Sequence, residues 1–590
     1  MKVSDYIIQF LKDKGIDTAF CITGGLSAHL MESLRTSGIR VYHNYNEQAC
    51  AMAAEGYARI AKKPALVLVT NGPGSSNTIT GVLGAWQDSI PMFILSGQAP
   101  CNQNLKSETR PLRQLGLQEA DIISMVQHCT NYAKQITTKT EVRYELEKAW
   151  HFCTTGRMGP VWIETPIDIQ AQTVQINELT TYKIDNTETT DSLDVNLLTE
   201  IENAKKPLLV IGNGIHLANV ETPLLELVDK LQIPVVATWN AKDLFDYSDP
   251  LYVGNFGLLG ERAANFAVQE SDLLIILGSR LSIPCTGYAT KDFSPHSKKI
   301  MVDLDINEMS KHTLQIDYKC VGELKDYIDF FKQANSSPRL QWLETVQKWK
   351  TRFDLNLEDH SREPGYVNSF DFMQRLSKAL QPNDVVVTDM GTSFTCTMQA
   401  LRHTGEDRLF TSSALCSMGY GLPGAIGAYI ANPKNRVICM VGDGGIQMNI
   451  QELQTIAHHR LPIKIVLLNN SGMLAISLMQ DNLFDQNYFG CNEQSGVSNP
   501  DFQKLATAYG INSHYLETQD AVDQKLSNLL LEPGPALIEI NMVRNQLLIP
   551  RVQSRKDEKG QIASSSIDVM FPYLEQEQIS KVQQESNFCN

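Results

Sequence analysis

Two short polar clusters, Gly442-Asp443-Gly444 and Asn469-Asn470, lie 24 residues apart near the C-terminal end of the chain. Each follows an apolar run, RVICMV or IKIVLL, which has the length and composition of a buried strand. In a parallel sheet, both clusters would lie at the edge where ligands bind. Gly, Asp and Asn are also ordinary turn residues, so either cluster alone predicts only a turn. Two clusters flanking one amphipathic helix favour a shared binding site.

The oxygen atoms of this pair suit a magnesium ion that is bound to phosphate. Asp443 offers a carboxylate oxygen, Asn470 an amide oxygen and Gly472 a backbone carbonyl, which are hard ligands. Mg²⁺ usually keeps its other octahedral positions for water or phosphate oxygens. The following helix would present N–H groups to a phosphate. Gly442 and Gly444 let the backbone come close to such a ligand, and the helix would begin at Gly445. The stretch therefore predicts a Mg²⁺–diphosphate anchor.

This spacing resembles the diphosphate-binding motif of thiamine diphosphate (ThDP) enzymes. ThDP chemistry also needs a carboxylate at N1′ of the aminopyrimidine, so that the 4′-nitrogen can remove the C2 proton of the thiazolium, while the cofactor supplies the electron sink. The stretch NYNEQACAMAAEGYAR (44–59) resembles the glutamate segment of these enzymes and places Glu47 in that role. Taken alone, Glu47 would be interpreted as a helix-start or surface residue. At an apolar domain interface its pKa would be raised, which suits proton sharing.

Further stretches of the N-terminal part resemble the acetolactate synthase and pyruvate oxidase branch of this family, in order and spacing. They are FCITGGLSAHL (20–30), TNGPGSSNTITGVLGAWQDSIPMFILSGQ (70–98), GLQEADI (116–122) and GRMGPVWIETPIDIQ (156–170). The resemblance implies that three further residues line the reaction space: Gly24, Gly25 and Gln118.

The C-terminal part adds DMGTSF (389–394) and SALCSMGYGLPGAIGA (413–428) to the resemblance. Met418 matches the bulky apolar residue that holds ThDP in its bent V shape, although without that context it would be interpreted as core. The resemblance implies four more cofactor contacts: Gly391, Thr392, Ser393 and Met473.

The central part resembles the flavin-binding domain of the family through GNG (212–214), LGSR (277–280) and VDLDINE (302–308). The resemblance implies FAD, with contacts from Gly212, Arg280 and Asp305. A glycine turn and a strand-end arginine are also common in Rossmann folds, and relatives with an empty central domain exist. An NAD-dependent dehydrogenase is disfavoured, because GNGIHL lacks the third glycine of G-x-G-x-x-G.

The elements that must position these groups form a repeated α/β series. Apolar runs rich in Val, Ile and Leu alternate with amphipathic helical stretches, which predicts doubly wound parallel sheets. Polar stretches at 176–194 and 333–366 interrupt the series. We therefore expect a pyrimidine-binding domain, a central FAD-type domain, a diphosphate- and Mg²⁺-binding domain and a surface tail of lid-like character: 1–175, 195–333, 366–550 and 551–590.

The composition of the 590 residues limits the classes of partner. Apolar residues make up 43% and charged residues 20%, as in globular proteins. The net charge of −15 disfavours nucleic acid and anionic membranes as main partners, although a local basic pocket stays open. Twelve cysteines without C-x-x-C spacing are expected to be reduced core residues. With no signal-peptide pattern and no long apolar run, a cytoplasmic protein is expected.

These features predict a ThDP- and Mg²⁺-dependent enzyme that decarboxylates a 2-keto acid, with pyruvate as the expected donor, and transfers the acyl unit to an acceptor carbonyl. The resemblance implies a homodimer or a dimer of dimers, with ThDP between the N-terminal domain of one subunit and the C-terminal domain of another. A non-catalytic homologue would lack the glutamate and the metal residues, which are present here.

The acceptor is left open, because the chain departs from housekeeping acetolactate synthases at two places. Those enzymes carry a Trp-bearing segment after the asparagine pair and a GQHQ stretch, whereas this chain has NNSGMLAISLMQ (469–480) and GTSF (391–394). A sister group that transfers an acetyl unit to a keto-sugar nucleotide resembles NNSG better, yet its usual arginine is Ser477 here. A simple decarboxylase and a flavin-using oxidase also remain alternatives.

Overall fold

The protein is described by a computed structural model over residues 1–184, 193–556, 562–563 and 565–587. Three six-stranded sheets, each built only of parallel pairs, follow one another along the chain. Central strands such as Leu66–Val69 and Leu273–Leu277 are buried along their whole length, since helices cover the sheets. The predicted α/β class, with three doubly wound parallel sheets, is confirmed.

The N-terminal sheet has the strand order β2-β1-β3-β4-β6-β5. Its strands are β1 (Thr18–Cys21), β2 (Arg40–His43), β3 (Leu66–Val69), β4 (Met92–Gln98), β5 (Tyr132–Gln135) and β6 (Pro160–Pro166). The helices around it are α1 (Val3–Asp13), α2 (Ala28–Ser37), α3 (Glu47–Ala61), α4 (Pro73–Ser76), α5 (Ile79–Gln87), α6 (Ile122–Val126), α7 (Val142–Thr154) and α8 (Ile167–Ala171).

The central sheet has the order β12-β11-β10-β7-β8-β9, which is the strand order of dinucleotide-binding Rossmann folds. Its strands are β7 (Pro207–Ile211), β8 (Val235–Ala237), β9 (Tyr252–Asn255), β10 (Leu273–Leu277), β11 (Lys298–Asp303) and β12 (Tyr318–Val321). The helices are α9 (Asn196–Asn203), α10 (Gly214–Leu217), α11 (Glu221–Leu231), α12 (Arg262–Glu270), α13 (Ile283–Thr286), α14 (Ile306–Ser310), α15 (Leu324–Phe331) and α16 (Leu340–Arg352).

The C-terminal sheet repeats the topology of the N-terminal one, with the order β14-β13-β15-β16-β18-β17. Its strands are β13 (Val385–Thr388), β14 (Arg408–Phe410), β15 (Val437–Gly442), β16 (Lys464–Asn469), β17 (Asn512–Leu516) and β18 (Ala536–Asn541). The helices are α17 (Ser369–Ala379), α18 (Thr392–Ala400), α19 (Gly421–Ala431), α20 (Asp443–Ile446), α21 (Glu452–His458), α22 (Leu474–Phe484), α23 (Phe502–Ala508) and α24 (Gln519–Leu531).

The N-terminal and C-terminal domains share one hydrophobic core, in which α3 packs directly on α19. The contact is close because small residues face each other. A Cβ on Gly56 would overlap the carbonyl of Gly424, and one on Gly427 would overlap the carbonyl of Ala53. This packing places the N-terminus of α3, where Glu47 is the first residue, against the C-terminal domain.

The stretch 333–366, which we expected to be a charged connector, contains α16. Trp342 and Trp349 of this helix are fully buried in the core of the central domain. The tail joins the same core through Ile567, Met570 and other side chains, so its described residues cover the central domain. The tail also contains the short antiparallel pair β19 (Arg555–Lys556) and β20 (Ile562–Ala563), and the helix α25 (Gln576–Ser586).

The sequence also raises expectations about the cysteines and about long apolar helices. No disulfide joins the cysteines in the described part of the chain, and most of those cysteines are buried. Within the same ranges, no helix has the length and apolar character that crossing a bilayer requires.

Candidate active site

The two polar clusters of the C-terminal domain end neighbouring strands. β15 and β16 pair in parallel with Gly442 opposite Leu468, so Asp443 and Asn470 emerge from the same edge of the sheet. Thr392, at the start of α18, accepts a hydrogen bond from the Nδ2 atom of Asn470 at 3.3 Å. Three chain segments therefore converge at this edge.

Asp443 is the carboxylate that ends β15 at this edge, and it is only 3% exposed. Its Oδ1 accepts the N–H of Gly444 at 2.9 Å, and its Oδ2 accepts the N–H of Gly472 at 2.9 Å. The Oδ2 atom also accepts the side-chain amide of Asn499 at 2.7 Å. Burial raises the pKa of the Asp443 carboxyl to about 6, and these hydrogen bonds oppose the rise.

Asn470 carries the observation that points most directly to a cation. Its Oδ1 atom is buried and has no hydrogen-bond partner among the described residues. A buried amide oxygen without a partner is costly, unless a ligand satisfies it. Beside the carboxylate of Asp443, this oxygen fits a hard divalent ion. No group of three His, Cys, Asp or Glu in the described residues could hold a metal, so the edge would rely on amide and backbone oxygens.

The glycines of the motif leave room beside two methionines. A Cβ on Gly444 would lie 2.7 Å from the Sδ and Cε atoms of Met473 and 3.6 Å from Cε of Met418. Around Gly442 and Gly391, a Cβ would meet no atom within 4 Å, so both face open space. The Ser393 hydroxyl donates to the carbonyl of Met390 at 3.1 Å and thus has a local partner.

Asp389, which sequence reasoning did not single out, holds the backbone that carries Met418. It is fully buried and accepts the N–H groups of Met390 at 2.6 Å, Gly421 at 2.9 Å and Gly419 at 3.0 Å. Burial raises its pKa to about 6. The available signal was its position, since Asp389 directly follows the buried strand β13 just as Asp443 follows β15.

The candidate catalytic glutamate lies in the N-terminal domain beside the glycine turn at 70–74. Glu47 is half-buried, and its Oε2 accepts the side-chain amide of Asn77 at 3.0 Å. A Cβ on Gly74 would lie 3.6 Å from the Oε1 atom of Glu47. Asn46 caps the N-terminus of α3, and its side chain accepts the N–H of Gln48 at 2.8 Å.

The other predicted residues of this domain surround the same turn. A Cβ on Gly24 would overlap Thr70, and a Cβ on Gly25 would face open space. Gln118 is exposed with a φ of +51°, and its carbonyl touches Gly72. The structure thus brings Glu47, Gly24 and Gln118 around the turn at 70–74, and Gly25 directly follows Gly24.

The two halves of the candidate site belong to different domains of the chain. Helix α21 contacts the segment before α3. Glu452, the first residue of α21, accepts the Asn44 amide at 2.8 Å and the Tyr45 N–H at 2.9 Å. The side chain of Asn449 donates to Gln48 at 3.2 Å. In the described residues, no hydrogen bond joins Glu47 to Asp443 or Asn470.

A cavity of about 490 Å³ lies where all three domains meet, at the carboxyl ends of β7 and β10. This is the point at which the strand order of the central sheet reverses, where open α/β sheets bind ligands. Its volume lies in the usual range of cofactor pockets, roughly 300–1,000 Å³. Two buried atoms of its wall, Oδ1 of Asn213 and Nε1 of Trp239, have no hydrogen-bond partner among the described residues. The cavity therefore fits a ligand with polar groups.

Of the three predicted flavin contacts, only Arg280 is part of the cavity wall. Gly212 instead packs against Gly278, where a Cβ would overlap the carbonyl, so it lets the ends of β7 and β10 approach. Asp305 caps α14 and pairs with Arg157 at 3.0 Å, whereas Asp303 lines the cavity. The sequence did not single out Asn213, Trp239 or Asp303, because the path of the chain at the ends of β7, β8 and β11 decides which side chains line the cavity.

Comparison with known families matches each sheet-bearing region to one domain of a single class of enzyme. Residues 1–125 match the N-terminal TPP binding domain of the thiamine pyrophosphate enzymes, residues 196–330 the central domain, and residues 389–540 the C-terminal TPP binding domain. Thiamine pyrophosphate and thiamine diphosphate are the same cofactor. The chain is therefore a ThDP-dependent enzyme with the three-domain arrangement of that class.

The curated relatives narrow the class. The chain is 31% identical to the acetolactate synthase isozyme 2 large subunit of Escherichia coli (strain K12), over 92% of this chain and 96% of that protein. It is 29% identical to the acetolactate synthase large subunit of Lactococcus lactis subsp. lactis (strain IL1403), over 93% and 94%. A probable acetolactate synthase large subunit of Methanocaldococcus jannaschii is 30% identical over 92% of each chain. The protein belongs to the acetolactate synthase-like family of ThDP enzymes.

Proposed function

We propose that this enzyme is a ThDP- and Mg²⁺-dependent carboligase. It decarboxylates a 2-keto acid, pyruvate in the first instance, and transfers the resulting acyl-anion equivalent to an acceptor carbonyl. The observation that carries the metal-dependent part is the buried, unpartnered Oδ1 of Asn470 beside the carboxylate of Asp443. The full-length similarity to acetolactate synthases supports the carboligase part.

Each half of the proposed site has its own task. Asp443, Asn470 and the carbonyl of Gly472 hold Mg²⁺, while the start of α18 faces the diphosphate. Met418 and Met473 support the cofactor from the side of Gly444. When bound, ThDP supplies the electron sink for decarboxylation.

Glu47 holds a proton at N1′ of the aminopyrimidine, and Asn77 orients its carboxylate. Gly24, Gly25 and Gln118 form the wall of the reaction space on the same face of the N-terminal domain. Gly25 leaves open space there, and Gln118 places an exposed side chain at its rim.

We also propose that FAD occupies the central cavity. The Rossmann strand order, the position of the cavity at the switch point and the unpartnered atoms of Asn213 and Trp239 support this assignment. Arg280 and Asp303 lie in its wall. Denatured enzyme should release one flavin per chain, which absorbance detects. Anaerobic pyruvate should leave the flavin oxidised in a carboligase and reduce it in an oxidase.

A homo-oligomer, a dimer or a dimer of dimers, completes the proposed site. Glu47 and the metal ligands lie on different domains without a hydrogen bond between them. A second copy that brings its C-terminal domain to the N-terminal domain of the first would join the two halves.

A keto-sugar nucleotide is the second candidate acceptor. The segment that leads to Gln118 exposes Arg113, and a cation there suits a sugar nucleotide, which carries more negative charge than a keto acid. The neighbouring Arg110 pairs with Glu108 at 2.5 Å. The segment after Asn470 also lacks the tryptophan of housekeeping acetolactate synthases.

The decisive experiment supplies the purified enzyme with ThDP, Mg²⁺ and pyruvate, alone or with candidate acceptors, and identifies products by mass spectrometry. Acetolactate from pyruvate alone supports the first candidate, and an acetylated sugar nucleotide supports the second. Acetaldehyde alone would indicate a simple decarboxylase and would contradict carboligation.

A further inference from the structure

Asn499 contacts the proposed metal site from a part of the chain that belongs to neither motif. It lies in the segment between α22 and α23, 56 residues beyond Asp443, and it is half-buried. Its Nδ2 donates to Oδ2 of Asp443 at 2.7 Å, the shortest hydrogen bond that this carboxylate accepts. The contact is therefore part of the immediate surroundings of the carboxylate.

A neighbouring glutamine fixes the orientation of the Asn499 amide. The Nε2 of Gln447 donates to Oδ1 of Asn499 at 3.1 Å and to the carbonyl of Asp443 at 2.9 Å. An amide nitrogen can only donate, so the oxygen of Asn499 must face Gln447 and its nitrogen must face Asp443. Pro500 follows directly and restricts the backbone of Asn499 to extended conformations.

The two carboxylate oxygens of Asp443 accept different numbers of hydrogen bonds. Oδ2 accepts both Asn499 and the N–H of Gly472, whereas Oδ1 accepts the N–H of Gly444. The carboxylate is thereby held in one rotation, and Oδ1 keeps a lone pair for a ligand. A carboxylate that is already oriented loses less conformational entropy when it binds a metal.

We propose that Asn499 is a positioning residue that sets the Mg²⁺ affinity of the site by holding the Asp443 carboxylate in its metal-binding orientation. The proposal rests on the proposed Mg²⁺–ThDP function and adds to it a residue outside the recognised motifs. Loss of a hydrogen-bond partner that orients a metal ligand typically lowers metal affinity by about 10- to 100-fold. Loss of a ligand itself should have a larger effect, because Asp443 is the only carboxylate among the proposed ligands.

The test measures ThDP binding rather than turnover. Metal-free apoenzyme is titrated with Mg²⁺ at saturating ThDP, and bound ThDP is determined by equilibrium dialysis. Asn499→Leu keeps the volume without the amide, and Asn499→Ala removes both. Both variants should raise the half-saturating Mg²⁺ concentration about 10- to 100-fold while binding the wild-type amount of ThDP at saturating metal. Asn487→Ala, an exposed asparagine of the same segment, should match the wild type.

The outcomes separate this inference from the proposed function. Wild-type enzyme that binds no ThDP in the presence of Mg²⁺ would remove the proposed function itself. Normal wild-type binding with an unchanged or lowered half-saturating Mg²⁺ concentration in both Asn499 variants would overturn the inference alone. A lowered melting temperature of the apoenzyme, with ThDP binding that saturating Mg²⁺ cannot restore, would indicate a merely structural role and would also overturn it. If neither variant folds, Gln447→Ala, which frees the Asn499 amide, should raise the half-saturating concentration in the same direction, and no rise would overturn the inference.

Discussion

At the scale of single residues, the two acids of the candidate site have opposite surroundings. Asp443 is buried and accepts three hydrogen bonds, which suits a fixed metal ligand. Glu47 is half-buried and accepts the amide of Asn77, which leaves it accessible to a cofactor. A group that must exchange protons needs access, whereas a group that must hold a cation needs orientation.

We expect Glu47→Gln to abolish turnover while ThDP still binds. The amide keeps the size and the contact with Asn77 but cannot share a proton, and such proton transfers contribute about 10²- to 10⁴-fold to rates. The measurement compares kcat with ThDP binding by equilibrium dialysis. Glu32→Gln, on the surface beside Arg35, is the matched control and should keep full activity. Full activity of Glu47→Gln would refute the assigned role.

The pH dependence of cofactor binding should report on Asp443. Burial raises its pKa from 3.8 to about 6, so the folded apoenzyme keeps a proton that the unfolded chain releases. The metal-free protein should therefore lose stability as pH rises from about 4 to 6, by up to about 3 kcal/mol from this group. Mg²⁺ needs the ionised form, so the rise in melting temperature caused by Mg²⁺ and ThDP should shrink as pH falls from 7.5 to 5.5.

Asp443→Ala is the control for that titration. It should show no stabilisation by Mg²⁺ and ThDP at any pH, because the only carboxylate among the proposed ligands is gone. A wild-type enzyme whose stabilisation by Mg²⁺ and ThDP is the same at pH 5.5 and 7.5 would exclude Asp443 as the titrating ligand.

At the residue level, the sequence could place two groups at one edge where a motif ties each of them to the end of a strand. Asp443 and Asn470 follow apolar strands at a fixed spacing, so their convergence could be expected. Asn499 could not, since its contact with Asp443 depends on the path of an irregular segment that has no periodicity. Gly212 and Asp305 were predicted as FAD contacts in the same way, yet Gly212 packs against Gly278 and Asp305 pairs with Arg157.

At the scale of elements, the packing of α3 on α19 depends on the absence of side chains. Gly427→Ala should therefore destabilise the enzyme, because the new methyl group would overlap the carbonyl of Ala53 and overpacking costs about 1–3 kcal/mol. The measurement is the melting temperature of the apoenzyme. Ala431→Ser, at the partly exposed end of α19, should leave it nearly unchanged. Equal melting temperatures for Gly427→Ala and the wild type would contradict this packing.

Helix α12 attaches the tail to the central domain through a buried arginine. Arg262 donates to the carbonyls of Met570 at 3.1 Å and Pro572 at 2.7 Å, and it pairs with Glu358 at 2.5 Å. Arg262→Met should expose the tail to limited proteolysis and lower stability by about 3 kcal/mol, since buried partners lose their donor.

The matched control for the tail is Arg352→Met. Arg352 pairs with Glu585 of the same tail at 2.6 Å, but its side chain is 26% exposed, so its loss should cost about 1 kcal/mol or less. Similar proteolysis of the tail in both variants would show that the buried contact of Arg262 holds the tail no more strongly than the exposed pair of Arg352.

At the level of elements, the sequence analysis missed the helix α16, whose apolar positions lie among many charged residues. The stretch 333–366 looked like a connector because charged residues surround its apolar positions. Trp342, Val346 and Trp349 nevertheless recur at i, i+4 and i+7, which is the stripe of a helix that buries one face. That spacing was the signal for α16. The proposal that the tail acts as a lid stays a prediction, and its described residues cover the central domain.

At the scale of the whole molecule, the first and third sheets share one strand order, and each contributes one half of the proposed site. A pyrimidine-activating glutamate and a diphosphate anchor would bind the two ends of one ThDP molecule. Both groups must therefore line the same site. Within one chain, α3 and α19 join the two domains. In the described residues, however, no hydrogen bond links Glu47 to the proposed metal ligands. Two copies related by a two-fold axis would pair opposite halves twice.

Mixing two inactive variants tests this assembly. Glu47→Gln and Asp443→Ala chains should each be inactive alone, but a mixed dimer would contain one site that carries both defects and one intact site. Because random exchange gives half mixed dimers, an equimolar mixture that is unfolded and refolded together should recover about a quarter of wild-type activity. Mixing the separately refolded variants is the control and should recover none if the subunits do not exchange. If each chain instead carries its own complete site, every chain has one defect, and the co-refolded mixture would stay inactive.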